Sequence, residues 1–297
     1  MQIIEPFVML ILLILTGMGL HRLGVLDIGF DRKLSRLVVR VAFPALLFVS
    51  MYKNIELDAL RQGWVFVVIG LIVSVVLAFT ARWSGRKLGL EGKVQGLYGI
   101  LCTNGNNIFL PMPIILTLFG DEYVVYAFLF ELGAALYYWS YGVSELREGP
   151  KFSLKRLFNW NIFALLAGLA AGLSGLKLYQ PILGALELLS GMCVVSAMLI
   201  LGSLLAITLE TKAWRREVWG VVLHRLVLSP LIGLPFLLFL DLAEPLREIL
   251  LLMLAMPPLL TTAMVASTLG ADEELATLGV LVPTALSFVL IPILLLK

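Results

Sequence analysis

The chain has 297 residues, 60% of them hydrophobic and only 14% charged, and a mean hydropathy of +1.00. A soluble domain carries about 25% charged and roughly 45–50% apolar residues, so a water-soluble globule is excluded. The net charge of +2 supplies no basic field for nucleic acid. Ten spans of about 20 residues would use roughly 200 positions and leave only short loops. The expected class is an all-α polytopic membrane protein.

In chain order, apolar runs fall at 3–20, 34–52, 64–82, 94–119, 122–143, 158–175, 181–209, 217–240, 246–269 and 275–296. None alternates with period two, so a barrel is not expected, and continuous runs of this length satisfy their own backbone as helices. The first run has no basic leader and is followed by His21-Arg22, which reads as a first span and not as a removable signal peptide. The six tryptophans (Trp64, Trp83, Trp139, Trp160, Trp214 and Trp219) fall near run ends, as an interfacial belt requires. Cys102 and Cys193 lie in separate runs with no metal-like spacing and read as buried spare thiols.

Basic residues in the loops give the orientation. Loops one, three, five and seven hold 15 of them, for example Arg32, Lys33 and Arg36, or Lys212, Arg215 and Arg216. Loops two, four, six and eight hold 4: Lys53, Arg61, Lys177 and Arg247. The odd loops are therefore expected in the cytoplasm, with both termini outside a cell (plasma or inner) membrane. The longest basic loop lies in the middle. It divides the chain into a first five-helix repeat at 1–145, a connecting loop at 146–157 and a second repeat at 158–297. Two halves of five spans have opposite orientations, the plan of inverted-repeat transporters.

Spans four and nine are equivalent under that division, and both are broken. Span four carries Asn104-Gly105-Asn106-Asn107 and then Pro111-Met112-Pro113; span nine carries Met256-Pro257-Pro258 and then Thr261-Thr262. A proline removes a helical hydrogen bond and clashes with the preceding turn. Lone prolines such as Pro44, Pro230 and Pro283 read as plain kinks, and a kink is the bland reading of each break too. Paired interruptions at matching positions instead point to a binding site near the midplane. Freed backbone groups, asparagine amides and half-helix N-termini together suit a carboxylate.

The stretch NNIFLPMPIILTLFG (Asn106 to Gly120) resembles the span-four signature of the auxin efflux carrier family, and MPPLLTTAMVASTLGADEELA (from Met256) resembles its span nine and exit loop. Leu34-Ser35, Phe43-Pro44-Ala45-Leu46, Arg225 and Pro230 are smaller echoes. The resemblance runs through the whole chain in order. It implies a secondary carrier of ten helices in two inverted five-helix repeats, with broken helices four and nine crossing, on the fold shared with sodium–bile acid symporters. Spans one, two, six and seven would be a scaffold, through which members often dimerise; the other six would form a moving domain. Pro111 stands where many members have Gly, and Ala263 near where Asn is common.

Ionisable residues inside spans are functional candidates by default. Glu131, within AFLFELGAAL of span five, could bind a proton or a cation, or simply pair with Arg225. Arg225 in span eight could clamp a carboxylate bidentately, or snorkel to the surface. His224 beside it points about 100° away and reads as a coupling or a capping residue. Arg40 is expected to snorkel, and Glu187 to be solvated or paired with Lys177. Gly168 and Gly172 suit close helix packing.

Three classes compete. The first is a carrier of small organic anions, with substrate at Asn104, Asn106, Asn107, Pro111, Pro113, Arg225, Pro257, Pro258, Thr261 and Thr262, and with Glu131 and His224 in coupling. The second is a sodium-coupled symporter of amphipathic acids. The third, an enzyme, is disfavoured: no HExxH, GxSxG or P-loop occurs. No cofactor or metal is expected beyond H⁺ or Na⁺ as coupling ion. The expected partners are the organic anion, the lipid bilayer and a second copy.

Overall fold

The computed structural model describes residues 4–54, 57–108, 110–120, 123–142, 160–210, 215–259, 262–263, 266 and 270–295. Helices occupy all ten apolar runs. In chain order they are α1 (Ile4–Arg22), α2 (Ile28–Leu37), α3 (Phe43–Asn54), α4 (Leu57–Lys87), α5 (Gly92–Thr103), α6 (Pro111–Leu118) and α7 (Val124–Ser140). The second half holds α8 (Trp160–Leu173), α9 (Gln180–Glu210), α10 (Arg216–Val222), α11 (Ser229–Phe239), α12 (Glu244–Leu254) and α13 (Glu273–Leu295). Among the described residues, five helical stretches are long and apolar enough to cross a membrane: Ile28–Lys53, Gln62–Lys87, Gln180–Ser203, Arg216–Phe239 and Glu273–Leu295. Ile11–Arg22, Val124–Tyr138 and Phe163–Leu173 are shorter apolar helices.

Two of the lone prolines follow the same local distortion of their spans. Pro44 follows a wide π turn at Val38–Ala42, and Pro230 follows another at Leu223–Leu228. Proline has no N–H to offer the preceding turn, and widening that turn lets the next donors reach the freed carbonyls. Phe43 N–H, for example, reaches Val38 O.

The helices pack in two groups. In one, α1 lies along α9 and α3 along α8, with α3 and α2 also against α9. In the other, α4 lies along α7 and α5, and α10, α11, α12 and α13 close around them. Thinner contacts of α3 with α7, α9 with α13 and α1 with α6 join the groups. So does the Arg32–Glu273 ion pair at 2.9 Å.

Glycine sets the closest approaches. A Cβ on Gly202 would collide with Ile14 O, and one on Gly17 with Leu199 O, so α1 and α9 touch backbone to backbone. Gly168 does the same against Phe48 between α8 and α3. Small residues permit such contact where lipid supplies no hydrophobic drive between helices.

Several expectations can be placed. Trp64, Trp83, Trp160 and Trp219 are exposed, as is Arg40. Cys102 and Cys193 are buried free thiols. Glu187 pairs with Lys53 at 2.7 Å and not with Lys177, because α3 runs beside α9. The 146–157 loop lies outside the described residues.

At the far end of the second group, Arg215 bonds Asp272 at 2.6 Å, while Asp272 caps α13 by accepting from Leu275 N–H at 2.9 Å. Burial pushes the Asp272 carboxyl up, but the Leu275 N–H and Arg215 outweigh it and hold the group below the usual carboxylate range. Its stabilisation is therefore present above the unfolded pKa of about 3.9 and is lost as pH falls through the lower folded value. Asp272→Asn should lower the melting temperature at pH 7, and the gap to the parent should close as pH drops below about 4. For the packing, Gly202→Leu should destabilise by about 1–3 kcal/mol or more. Gly184→Ala, where a Cβ meets nothing within 4 Å, should be neutral or stabilising by up to about 1 kcal/mol. Thermal unfolding of the purified variants checks all three.

Candidate functional site

The two broken spans meet. α5 stops at Thr103, and Asn104 turns extended (φ −99°, ψ 107°) before Pro111 starts α6. α12 stops at Leu254, and the chain runs through Met256-Pro257-Pro258-Leu259. The two extended pieces pair antiparallel across Gly105 and Pro258. Asn106 N–H donates to Pro257 O at 2.7 Å, and Leu259 N–H to Asn104 O at 2.9 Å. Proline thus has two effects here: it ends the helix, and its carbonyl then serves the opposite break.

Ending two helices side by side leaves their last carbonyls together in a buried place, where each would carry a partial negative charge. Arg225, 3% exposed, sits on them. Its Nε and Nη2 donate to Met256 O at 2.9 and 2.7 Å, and Nη1 donates to Thr103 O at 3.4 Å. Four residues on, Ser229 Oγ donates to Leu254 O at 2.6 Å. The span carrying α11 therefore grips the end of α12 at two carbonyls. A Cβ on Gly105 would strike Arg225 Nη2 and come within 2.6 Å of Asn107 Oδ1, so glycine is required for the guanidinium to reach in.

Around this knot the polar side chains are nearly sealed from solvent: Asn104 is 3% exposed, Asn107 2% and Thr262 0%. Asn107 Nδ2 donates to Glu131 Oε2 at 2.9 Å. Among the described residues, three atoms there have no hydrogen-bond partner: Asn104 Nδ2, Asn107 Oδ1 and Thr262 Oγ1. A buried polar atom left unbonded costs about 1–3 kcal/mol and calls for an explanation. A ligand that accepts from an amide N–H and donates to, or coordinates, an amide or hydroxyl oxygen would satisfy all three. Arg225 has five N–H donors, so three bonds do not exhaust it.

The structure thus brings Asn104, Asn106, Asn107, Pro257, Pro258, Thr262, Arg225 and Glu131 to one place. Pro111 and Pro113 lie just beyond, in the first turn of α6. Thr261 lies outside the described residues. Glu131 meets Asn107, and Arg225 meets main-chain carbonyls, so the direct Glu131–Arg225 pair considered from the sequence is replaced by two separate contacts. His224 turns the other way. Its Nδ1 is 2.7 Å from Gly220 O and its Nε2 3.5 Å from Ser84 Oγ, which lies 3.1 Å from the Tyr98 hydroxyl. Residue-type reasoning passed over Ser229, although a serine one turn from a buried arginine on an apolar helix was the available signal. It also passed over the carbonyls of Thr103 and Met256, which leave no mark in side-chain chemistry.

A family model described as "Membrane transport protein" matches residues 2–151 and 144–295. An uncharacterized transporter of Methanothermobacter thermautotrophicus is 29% identical, the alignment covering 97% of this chain and 96% of the relative. An uncharacterized transporter of Methanocaldococcus jannaschii is 24% identical over the same shares.

Removing the guanidinium should leave two buried helix ends uncapped. Arg225→Met should cost about 3 kcal/mol or more, and Arg225→Lys nearly as much, because an ammonium lacks the planar fork that reaches two carbonyls at once. Thermal unfolding reads both, with Arg40→Lys on the exposed π turn as the unchanged control.

Proposed function

Because the chain belongs to the membrane transport protein family, the auxin efflux carriers whose signatures it bears, we propose that it is a secondary transporter of small organic anions. The substrates are carboxylates in the range of auxin-like acids, malonate or malate. Transport proceeds by elevator-like alternating access around the crossing of the broken spans α5–α6 and the one that α12 begins. The chain is then a ten-span protein of a cell membrane. Its two inverted five-helix repeats fall at 1–145 and 158–297 with the 146–157 loop between, and both termini lie outside. It is a carrier and not an enzyme.

The observation that carries this reading is the set of unpartnered buried atoms on the crossing, Asn104 Nδ2, Asn107 Oδ1 and Thr262 Oγ1, next to the Arg225 cation, which is hydrogen-bonded to the main-chain carbonyls of Met256 and Thr103. A carboxylate fits there: one oxygen accepts from the Asn104 amide, and the negative charge is balanced by Arg225. The α6 N-terminus opened by Pro111 and Pro113 adds its positive dipole end. Glu131, held by Asn107, is the coupling group, so substrate and coupling ion compete for or share Asn107.

The division into two packed groups supports the motion. The group of α1, α2, α3, α8 and α9 is the scaffold and holds any dimer interface; the group of α4–α7 and α10–α13 carries the crossing and moves. A second reading, a sodium-coupled symporter of amphipathic acids, draws on the same atoms, since Asn107 Oδ1, Thr262 Oγ1 and Glu131 are the hard oxygen donors a small cation prefers.

Proteoliposomes on a solid-supported membrane, challenged with malonate, malate, acetate and indole-3-acetate with and without Na⁺ or a pH gradient, separate these readings. The proposal expects a saturable current for at least one acid, reduced tenfold or more in Asn107→Ala. Currents that require Na⁺ select the symporter. Folded protein with undiminished transport in both Asn107→Ala and Asn104→Ala refutes the site.

A further inference from the structure

A second buried polar cluster lies outside the crossing, where α1, α2 and α9 meet. Asp31 is 4% exposed, and its Oδ2 accepts from Ser203 Oγ at 2.6 Å. Ser203, fully buried, is in turn 3.0 Å from Nδ1 of His21, which is partly exposed at the end of α1. Asp31 Oδ1 is buried with no hydrogen-bond partner. The three residues come from three helices, and Ser203 lies more than 170 positions from the other two. The backbone contacts at Gly17 and Gly202 fix α1 against α9 one turn away, so the spacing of His21 and Ser203 is set by main chain.

Hydrogen-bond polarity decides what this chain of groups can do. Ser203 has one proton. If it is donated to an ionised Asp31, the His21 nitrogen facing Ser203 must be the donor, as Nδ1–H. If Asp31 carries a proton on Oδ2, the whole chain reverses: Asp31 donates to Ser203, Ser203 donates to a bare Nδ1, and the imidazole holds its proton on Nε2. The same three heavy atoms satisfy both arrangements without moving. Among the described residues, the neighbouring charges leave Asp31 with no ion-pair partner of its own. Asp27 caps the Phe30 N–H, Arg32 is paired with Glu273, and Arg36 Nε donates to Arg32 O. Lys33 and Arg40 are exposed, as is Arg22 beside His21. The only ionisable side chains of α9 besides Cys193 are Glu187 and Glu210, sixteen and seven residues from Ser203, and neither is basic.

We propose that Asp31 is a proton-binding site of the scaffold, loaded from the membrane face through His21 and Ser203. A proton from water adds to Nε2 of His21. Nδ1–H passes its proton to Ser203 Oγ as Ser203 passes its own to Asp31 Oδ2. The net change is one proton from water to the carboxylate, with the imidazole neutral before and after in opposite tautomers. Ser203 is the indispensable middle member, since its hydroxyl stands between His21 Nδ1 and Asp31 Oδ2 and can take a proton from one as it gives its own to the other.

Infrared difference spectra of the purified full-length protein, acid minus neutral over pH about 4 to 8, test this without any transport assay. The expected result is a protonated-carboxyl C=O band that persists in E131Q and is lost in D31N. Its titration midpoint should move by about one unit or more in S203A, and its proton–deuteron exchange should slow in H21Q. A parent protein without the band, or a band intact in D31N, overturns the proposal. Should D31N fail to fold, S203A and H21Q decide: a midpoint and an exchange rate both equal to the parent's overturn it as well.

Discussion

Two helices that stop side by side in the buried interior leave carbonyls with no water to bond, and the architecture depends on how that is resolved. Arg225 resolves it by lying between Thr103 O and Met256 O, while the antiparallel pairing of Gly105 with Pro258 consumes the next donors along. A buried guanidinium needs compensation as much as the carbonyls do, so each stabilises what the other would make untenable. The broken helices are stable because they are broken together, over one cation.

This arrangement leaves a surplus of capacity rather than of charge. The helix ends hold Arg225 by dipoles and not by a carboxylate, so the anion of the proposed function would meet a positive group whose charge is not already cancelled by a directly bonded acid. The amides of Asn104 and Asn107 and the Thr262 hydroxyl, each with an atom unbonded, add donors and acceptors on the same knot. The hydrogen bond from Asn107 to Glu131 links the proposed anion site to the group proposed to couple it, so under that proposal a change at Asn107 would reach both.

Much of this was legible in the residues. Hydropathy marked apolar runs that each hold helix among the described residues, five of them long enough to cross a membrane, because an apolar run has few other ways to satisfy its backbone. Asn104–Asn107 and Pro257–Pro258 marked the breaks, since proline and clustered amides have little place in an apolar helix. What escaped was the part that depends on main chain brought together from afar. Arg225 was legible as a buried cation, but its partners are carbonyls of residues 122 and 31 positions away. The pairing of Glu187 with Lys53 depended on which helix lies beside α9. The π turns before Pro44 and Pro230 follow from the proline, yet their effect, a local widening of the span, cannot be read from residue type. The register of His21 against Ser203 follows from glycine contacts between α1 and α9, whose partners are backbone atoms and so are silent in composition.

The most direct test of the crossing as the binding site is a structure determined with a transported carboxylate bound. The account places one carboxylate oxygen within hydrogen-bond distance of Asn104 Nδ2, the charge beside Arg225, and the Thr262 hydroxyl donating to the bound acid. A carboxylate bound elsewhere, with those three atoms still unbonded and the crossing unchanged, would contradict it.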